Sequence, residues 1–298
     1  MRAYPSLVER VSEPDEAGPV FRRRSRFPVL AVSILGAFVA MALLADWIAP
    51  VSPNAMSLRE RLLPPVWMDK GTVGHLLGTD RIGRDILSRI IHGARISLAA
   101  GVMAVLVGGL VGSVLGLVSG YFGRWVDVVV MRLTDAMLSL PIILIALLFA
   151  VSLGPSFSNL IIVLGLVMWA RFARLVRGEV LSWKEREFVQ LARVAGCSPL
   201  RIMARHLLPN VVNPLMVLAT LQVGWVIIVE SSLSFLGAGI PPPAPSWGSM
   251  IADGRAYIAT AWWMSLFPGL ALVMAVLSVN MLGDWLRDHL DPRLRNLR

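Results

Sequence analysis

The chain has 298 residues, of which 56% are hydrophobic and only 16% are charged. Soluble proteins average about 45–50% and about 25% for these classes, so the composition indicates a protein of the lipid bilayer. The net charge of +9 does not indicate nucleic-acid binding, because lysines and arginines cluster at the ends of apolar segments. Cys197 is the only cysteine, so no internal disulfide and no cysteine-rich metal site is expected.

The N-terminal third divides into a tail, an apolar run and a loop. Residues 1–28 are interpreted as a cytoplasmic tail ending in the basic run Arg22–Arg26. Residues 29–48 have the length of about 20 residues that a transmembrane helix needs, and they are predicted to form the first span. Residues 50–94 are rich in proline and polar side chains, so we predict an extracytoplasmic loop.

Two short motifs in this loop place charged side chains beside glycines, Gly78-Thr79-Asp80 and Gly83-Arg84-Asp85. One interpretation is that Asp80, Arg84 and Asp85 brace the extracytoplasmic mouth or meet a binding protein. The other is that their side chains satisfy the loop's own backbone. Both interpretations stay open at the level of sequence.

The second span is predicted between Arg95 and Arg124, and small residues recur in it every four positions. Residues at this interval share one face of a helix, and small side chains let two helix backbones approach closely in lipid. We therefore predict a packing face rather than a ligand groove. Its members are Ala100, Ala104, Gly108, Gly112, Gly116 and Gly120.

The next charge-free stretch, between Asp135 and Arg171, is too long for one span and is interrupted by a loop beginning Gly154-Pro155. It predicts spans three and four as a hairpin. Arg132 and Asp135 lie one turn apart and are predicted to pair with each other. Three arginines close span four and are expected to snorkel toward the headgroups; they are Arg171, Arg174 and Arg177.

The segment that follows is the longest charged stretch in the central part of the chain. Residues 184–195 show helical apolar periodicity, and Gly196 offers a stop whose turn requires a positive backbone angle. Ser198 and Pro199 provide a cap and a first-turn residue for a second short helix, and Pro209 marks its predicted end. The sequence predicts a helix-turn-helix held between membrane spans.

Span five is predicted from Val211 to about Phe235, and span six from about Trp263 to Gly283. Span five contains Glu230 beside Ser231 and Ser232, and a carboxylate in lipid is a candidate pathway or gate residue. The alternative is a hydrogen bond between helices. Trp247, Trp262 and Trp263 in the preceding loop are expected in an interfacial aromatic belt. The basic tail 285–298 then places both termini in the cytoplasm.

The sequence lacks the usual motifs for binding nucleotides and metals. No Gly-Lys dipeptide occurs, so the chain has no P-loop to hold nucleotide phosphates. Four scattered histidines lack metalloprotease spacing, and the segment beginning Gly237-Ala238-Gly239 fails as a dinucleotide fingerprint. We therefore expect no catalytic site, metal or cofactor in this chain.

Residues 188–210 resemble the cytoplasmic "EAA" loop of ATP-binding-cassette (ABC) importer permeases. The family's pattern is Glu-Ala-Ala, three residues, Gly, nine residues, Ile, one residue and Leu-Pro. Here Gln190, Leu191 and Ala192 take the first places, followed by Gly196, His206 and Leu208-Pro209. Gln190, Leu191 and His206 depart from it. Further motifs resemble the dipeptide, oligopeptide and nickel branch; they include Gly120-Tyr121-Phe122-Gly123, Leu233 to Gly237, Pro245 to Gly248 and Asp291-Pro292-Arg293.

The resemblance covers roughly residues 27–295 and implies an all-α polytopic membrane protein with six transmembrane helices. It implies a permease core in residues 95–284, with a cytoplasmic coupling loop in 172–210 gripped by a separate ATPase. It also implies two ATPases that bind ATP and Mg, a second homologous permease chain, an extracytoplasmic substrate-binding protein and a bacterial inner-membrane location. The coupling residues would be Gln190, Leu191, Ala192, Gly196, Ser198, Leu200 and Pro209.

Two other functions remain open from the residues alone. An ion-coupled secondary transporter or channel would use Glu230, Asp135 and Arg132 for coupling. A membrane scaffold without transport would explain the glycine face but not the exposed helix-turn-helix.

Overall fold

The computed structural model describes residues 27–290, and these fold entirely into helices and connecting loops, with no β-strand among them. The predicted basic anchor Arg22–Arg26 and the Asp291-Pro292-Arg293 motif lie outside the described residues. The helices are α1 (Val29–Leu43), α2 (Ala45–Ile48), α3 (Ile86–Phe122), α4 (Arg124–Ser139), α5 (Ile142–Leu153), α6 (Phe157–Trp183), α7 (Glu187–Val194), α8 (Pro199–Ile202), α9 (Leu208–Phe235), α10 (Trp247–Gly254) and α11 (Trp263–Leu290).

Four helices in the described part are long and apolar enough to cross a membrane: α3, α6, the continuous helix Pro199–Phe235 that contains α9, and α11. Helices α4 and α5 qualify only as one span bent by 96°, and the shorter apolar helix α1 has 15 residues. The structure therefore supports four spans, or five with the bent pair, where the sequence predicted six. The bend falls at Leu140-Pro141, because proline disfavours a helical conformation in the residue before it.

Two predicted boundaries are wrong. Helix α3 begins at Ile86, inside the predicted loop 50–94, because the Asp85 carboxylate accepts from Ser88 N at 2.7 Å and caps the helix early. The first helix of the charged segment begins at Glu187 rather than Lys184. Lys184 instead reaches α3, where its ammonium donates to the Gly120 carbonyl oxygen at 3.0 Å.

Helices α3 and α6 form the most extensive helix pair in the fold, and the small-residue face of α3 lies in this contact. A Cβ atom added to Gly108 would come within 2.7 Å of Met168 Cβ, and one added to Gly120 within 2.8 Å of Val180 Cγ1. At Gly112 and Gly116 the added atom would overlap backbone carbonyl oxygens of α6. The two backbones are thus in direct contact, as small residues permit in lipid.

A second core joins the loop that precedes α3 to α3, α10 and α11. Trp247 is fully buried and donates from Nε1 to the Ile90 carbonyl oxygen at 3.1 Å. Trp263 is 4% exposed and donates to the Thr79 carbonyl oxygen at 3.2 Å. The predicted aromatic belt is therefore wrong for these two residues, because each indole packs inside the protein instead of facing lipid.

Candidate functional site

The connection between α6 and α9 folds as a helix, a glycine turn and a second short helix. Gly196 has φ +76°, which confirms the predicted positive backbone angle. The turn is closed by Gly196 N donating to Arg193 O at 3.1 Å and Cys197 N donating to Ala192 O at 3.0 Å. Ser198 caps α8 by accepting from Arg201 N at 3.4 Å, with Pro199 in the first turn.

The predicted end of the second helix at Pro209 is wrong. Helix α8 continues through a π-helical turn, Met203–Leu207, directly into α9, so the helix runs from Pro199 to Phe235. Pro209 lies in the first turn of α9, where the regular bonding pattern restarts and a missing N–H is tolerated. The short helix is therefore a rigid extension of a membrane span rather than a separate element.

The loop has a buried side that fixes it to the spans. Val189, Ile202 and Leu207 are fully buried and pack in one cluster with Val176 and Val180 of α6. This cluster joins α7 and α8 to the C-terminal part of α6 and the N-terminal part of α9. The loop is therefore fixed to both helices by close packing.

The opposite side of the loop is apolar and exposed. Leu191 is 68% exposed, Val194 86% and Leu200 73%. Gln190, which stands at the family's glutamate place, is exposed and donates from Nε2 to the Glu185 carbonyl oxygen at 3.2 Å. Ala192 is half-buried against the cluster that holds the loop. Large apolar side chains this exposed in a charged segment are typical of a protein–protein contact.

The three residues predicted at the extracytoplasmic mouth are buried, and their side chains have partners within the chain. Asp80 accepts from Arg84 Nε at 2.6 Å, and Arg84 also reaches Asp253 at 3.3 Å. Asp85 caps α3 and contacts His75 Nδ1 at 3.0 Å. Asp80, Arg84 and Asp85 are at most 5% exposed. This geometry matches the structural alternative, since their side chains are not available on the surface of the chain.

The three gate candidates in α9 have different surroundings. Glu230 is buried between helices, whereas Ser231 and Ser232 lie next to a surface depression. Glu230 is fully buried and accepts from Ser234 at 2.8 Å, Ser231 at 3.3 Å and Ser97 of α3 at 3.5 Å. This network is the hydrogen bonding between helices that the sequence left open. Ser231 and Ser232 lie at an open, largely apolar surface depression of about 360 Å³.

Ion pairs between α4 and α6 were missed by the sequence analysis. Asp135 pairs with Arg174, so its predicted partner Arg132 is wrong. Arg177 binds Asp127 through Nε and Nη2, both at 2.6 Å. The expected snorkelling of Arg174 and Arg177 is therefore replaced by pairing with a neighbouring helix. The sequence did carry a signal for these pairs. Asp127 and Asp135 lie eight residues apart on α4, and the arginines of α6 recur every three residues, so each helix presents a row of charges of one sign.

Several helices of bilayer length, joined by a helix-turn-helix with an exposed apolar side, define a polytopic membrane protein. The model of the family "Binding-protein-dependent transport system inner membrane component" matches residues 112–296. The model described as "N-terminal TM domain of oligopeptide transport permease C" matches residues 22–65. The chain therefore belongs to the family of inner membrane components of binding-protein-dependent transport systems, and it is a permease subunit.

Similar proteins align along most of the chain. A di/tripeptide transport system permease protein of Pseudomonas aeruginosa is 43% identical over 258 residues, which cover 87% of this chain and 85% of that protein. A dipeptide transport system permease protein of Escherichia coli is 42% identical over 274 residues, covering 92% and 91%. One of Haemophilus influenzae is 38% identical over 273 residues, covering 92% of each. These relatives do not support the secondary-transporter alternative.

Proposed function

We propose that this chain forms half of the translocation pathway of an ATP-driven importer for peptides. The names of the similar permeases support a peptide rather than nickel as the substrate. The partners on this proposal are a second homologous permease chain, two ATPase subunits and an extracytoplasmic substrate-binding protein. ATP and Mg bind the ATPases, and this chain supplies the pathway and its mechanical coupling.

The single observation that carries the coupling role is the two-sided construction of the loop. Its exposed apolar residues, Leu191, Val194 and Leu200, offer an ATPase a hydrophobic contact. Its buried residues, Val189 and Ile202, fix the same short helices to α6 and α9. Closure of the two ATPases would therefore move α6 and α9 together and open the pathway to the other side.

The proposed topology has six spans in a bacterial inner membrane, with both termini and the coupling loop in the cytoplasm. Helices α1 and α2 together cover Val29–Ile48, about the 20 residues that a span requires. The bent pair α4–α5 is counted as one span. Lysine and arginine residues are enriched around the loop, which favours a cytoplasmic position; they include Lys184, Arg186, Arg193, Arg201 and Arg205.

The test is to purify the chain from its native host in mild detergent, identify the co-purifying subunits and measure their ATP hydrolysis and peptide uptake. In Gly196→Val the left-handed turn would cost about 1–2 kcal/mol or more, because a β-branched residue disfavours positive φ. An added Cβ at Gly196 meets no described atom within 4 Å, so the effect comes from the backbone of the loop alone. We expect membrane insertion to persist and peptide uptake to be lost.

Gly36→Val in α1 is the matched control, because Gly36 is helical and an added Cβ there also meets no described atom within 4 Å. We expect this variant to keep the ATPase and the uptake. Normal uptake by Gly196→Val would contradict the coupling role. A purified chain that brings no ATPase with it would contradict the proposed function as a whole.

A further inference from the structure

The loop before α3 is folded back on itself by antiparallel hydrogen bonds. Leu62 N donates to Asp80 O at 3.0 Å. Thr79 N donates to Leu63 O at the same distance, and the buried Thr79 hydroxyl donates to Glu60 O. The two segments are therefore held side by side in one fixed register.

This register brings two exposed arginines face to face. Because Leu62 lies opposite Asp80 in an antiparallel arrangement, the preceding residue Arg61 lies opposite Arg81. Both side chains are exposed. Like charges in directly opposite positions repel each other and destabilise the segments that carry them. A negatively charged partner would relieve this repulsion.

A third arginine and an exposed leucine extend the pair. Leu58 and Arg59 belong to a short 3-10 helix, Leu58–Glu60, in which Leu58 is 73% exposed and Arg59 is also exposed. A Cβ atom added to Gly83 would come within 1.9 Å of Ser57 O, so this helix lies against the turn that carries Arg81. We define the basic patch as Arg59, Arg61 and Arg81 together with Leu58.

The charges of the basic patch are not neutralised within the described part of the chain. Its three arginines have no carboxylate oxygen within 4.0 Å among residues 27–290. The adjacent Glu60 points instead to His75, with 3.7 Å between Oε2 and Nε2. Asp80 is buried and bound by Arg84 at 2.6 Å. The basic patch thus presents three positive charges and one apolar side chain outward.

The basic patch lies beyond the headgroup layer of a membrane that surrounds α3. Arg95 and Asp46 form an exposed ion pair at 3.0 Å, and no charged residue follows Arg95 in the chain until Arg124. Such a pair marks the edge of the hydrocarbon region. Helix α3 begins nine residues earlier at Ile86, whose N–H donates to Gly78 O at 3.1 Å. At about 1.5 Å per residue the loop stands about 14 Å above Arg95, whereas each headgroup layer is only about 5–8 Å thick.

This position and the composition of the basic patch favour a soluble protein as the partner, rather than lipid. Arginine is enriched at protein interfaces, and an apolar side chain beside it is typical of them. The loop is already ordered by its own hydrogen bonds, so binding costs little additional ordering. On the proposed topology the basic patch is extracytoplasmic, where lysine and arginine are disfavoured. The family that the chain matches is described as dependent on a binding protein.

We propose that the basic patch is the surface on which an acidic face of the extracytoplasmic substrate-binding protein docks. The three arginines would steer the approach of that face, and Leu58 would be buried in the contact. The residues that the sequence suggested for this contact, Asp80, Arg84 and Asp85, are buried and shape the loop instead. This inference rests on the proposed function, since it takes the binding protein as a partner.

The first experiment measures the affinity of the assembled transporter, in lipid nanodiscs, for the peptide-loaded substrate-binding protein of the same host. We expect a triple variant with Arg59→Gln, Arg61→Gln and Arg81→Gln to bind about tenfold more weakly at low salt. The affinity of the unmodified transporter should fall as salt rises, and that of the variant much less, because salt screens exposed charges. A triple variant with the affinity and salt dependence of the unmodified transporter would overturn the proposal.

Lys70→Gln is the matched control, because it removes one exposed positive charge from the same loop. Lys70 lies in the turn between Val66 and Leu76, whose backbones are joined by a hydrogen bond of 3.2 Å. We expect its affinity to change by less than about twofold. A loss equal to that of the triple variant would show that the overall charge of the loop matters and would refute a defined docking surface.

A comparison of nanodiscs with and without phosphatidylglycerol separates the binding protein from lipid as the partner. We expect the triple variant to weaken binding by the same factor in both, because the binding protein contacts the arginines directly. A defect that occurs only with the anionic lipid would assign the arginines to headgroups and would overturn the proposal.

Cross-linking tests the contact itself. A carbodiimide joins an amine to a neighbouring carboxylate without a spacer, and a guanidinium does not react in this way. We expect Arg81→Lys to become cross-linked to an aspartate or glutamate of the binding protein, whereas the native Lys70 stays unlinked. The absence of a cross-link from position 81, or an equal yield from Lys70, would contradict the docking surface. Unmodified transporter that neither binds the binding protein nor takes up peptide would instead contradict the proposed function, so the two failures are distinguishable.

Discussion

The α3–α6 contact and the α7–α8 loop both depend on glycine, but they use different properties of that residue. Gly112 is helical and lacks a side chain because a Cβ there would overlap the Trp169 carbonyl oxygen. Gly196 has open space around it and is needed for its backbone angle of φ +76°. The first glycine makes a closed contact between two helices, and the second shapes a turn with open space around it.

The largest expected effect on stability comes from disrupting the α3–α6 contact at Gly112. In Gly112→Ala the new methyl group meets a backbone carbonyl that cannot move aside, so we expect a destabilisation of about 3 kcal/mol or more. Gly109→Ala is the matched control, because its Cβ would meet only the Phe172 ring at 3.5 Å. That change should be neutral or slightly stabilising. The thermal unfolding midpoint of the purified chain in detergent measures both, and equal midpoints would contradict the packing role of Gly112.

The second prediction, with a smaller expected effect on stability, compares a buried and an exposed residue of α8. Ile202 is fully buried and Leu200 is 73% exposed. We expect Ile202→Ala to cost about 2 kcal/mol or more, as large-to-small core changes do, and to lower the unfolding midpoint. Leu200→Ala should leave the midpoint unchanged and reduce the peptide-stimulated ATP hydrolysis of the assembled transporter. A stable Leu200→Ala variant with full coupling would show that this apolar side chain makes no contact with the ATPase.

The smallest expected effects concern the ion pairs that hold α4 to α6. The Asp127 side chain is 19% exposed and also accepts from Ser119 Oγ at 2.6 Å, whereas the Asp135 side chain is 59% exposed. We expect Asp127→Asn to cost about 1–2 kcal/mol and Asp135→Asn less than about 1 kcal/mol, because an exposed ion pair contributes little. The unfolding midpoints of the two variants in low and high salt measure this order. A larger drop in midpoint for Asp135→Asn than for Asp127→Asn would contradict it.

Features formed by residues close together in the sequence, such as helix faces, turns and caps, could be predicted. The four-residue spacing of small side chains indicated one helix face, because residues at that interval lie above one another on a helix. The Gly196 turn and the Ser198 cap were predictable for the same reason, since both bond within a few residues. The resemblance at residues 188–210 then indicated a family that the match over residues 112–296 shows.

The errors arose where distant parts of the chain meet. Pro209 does not end a helix, because the preceding π-helical turn allows α8 to continue into α9. Trp247 and Trp263 are buried where α3 and the loop before it offer carbonyl oxygens to their indoles. Asp135 prefers Arg174 over Arg132 because α4 packs along α6. None of these partners can be identified from spacing along one helix.

The sequence by itself was enough to identify a membrane protein, its apolar helices, the face through which α3 packs and the glycine turn at Gly196. These follow from composition and local periodicity, which act over a few turns of helix. Only the tertiary structure decided which charges are paired, which tryptophans are buried, and that Arg171 meets Gln222 and Trp225. Those contacts join residues 39 to 184 positions apart, and their geometry exists only after the helices have packed together.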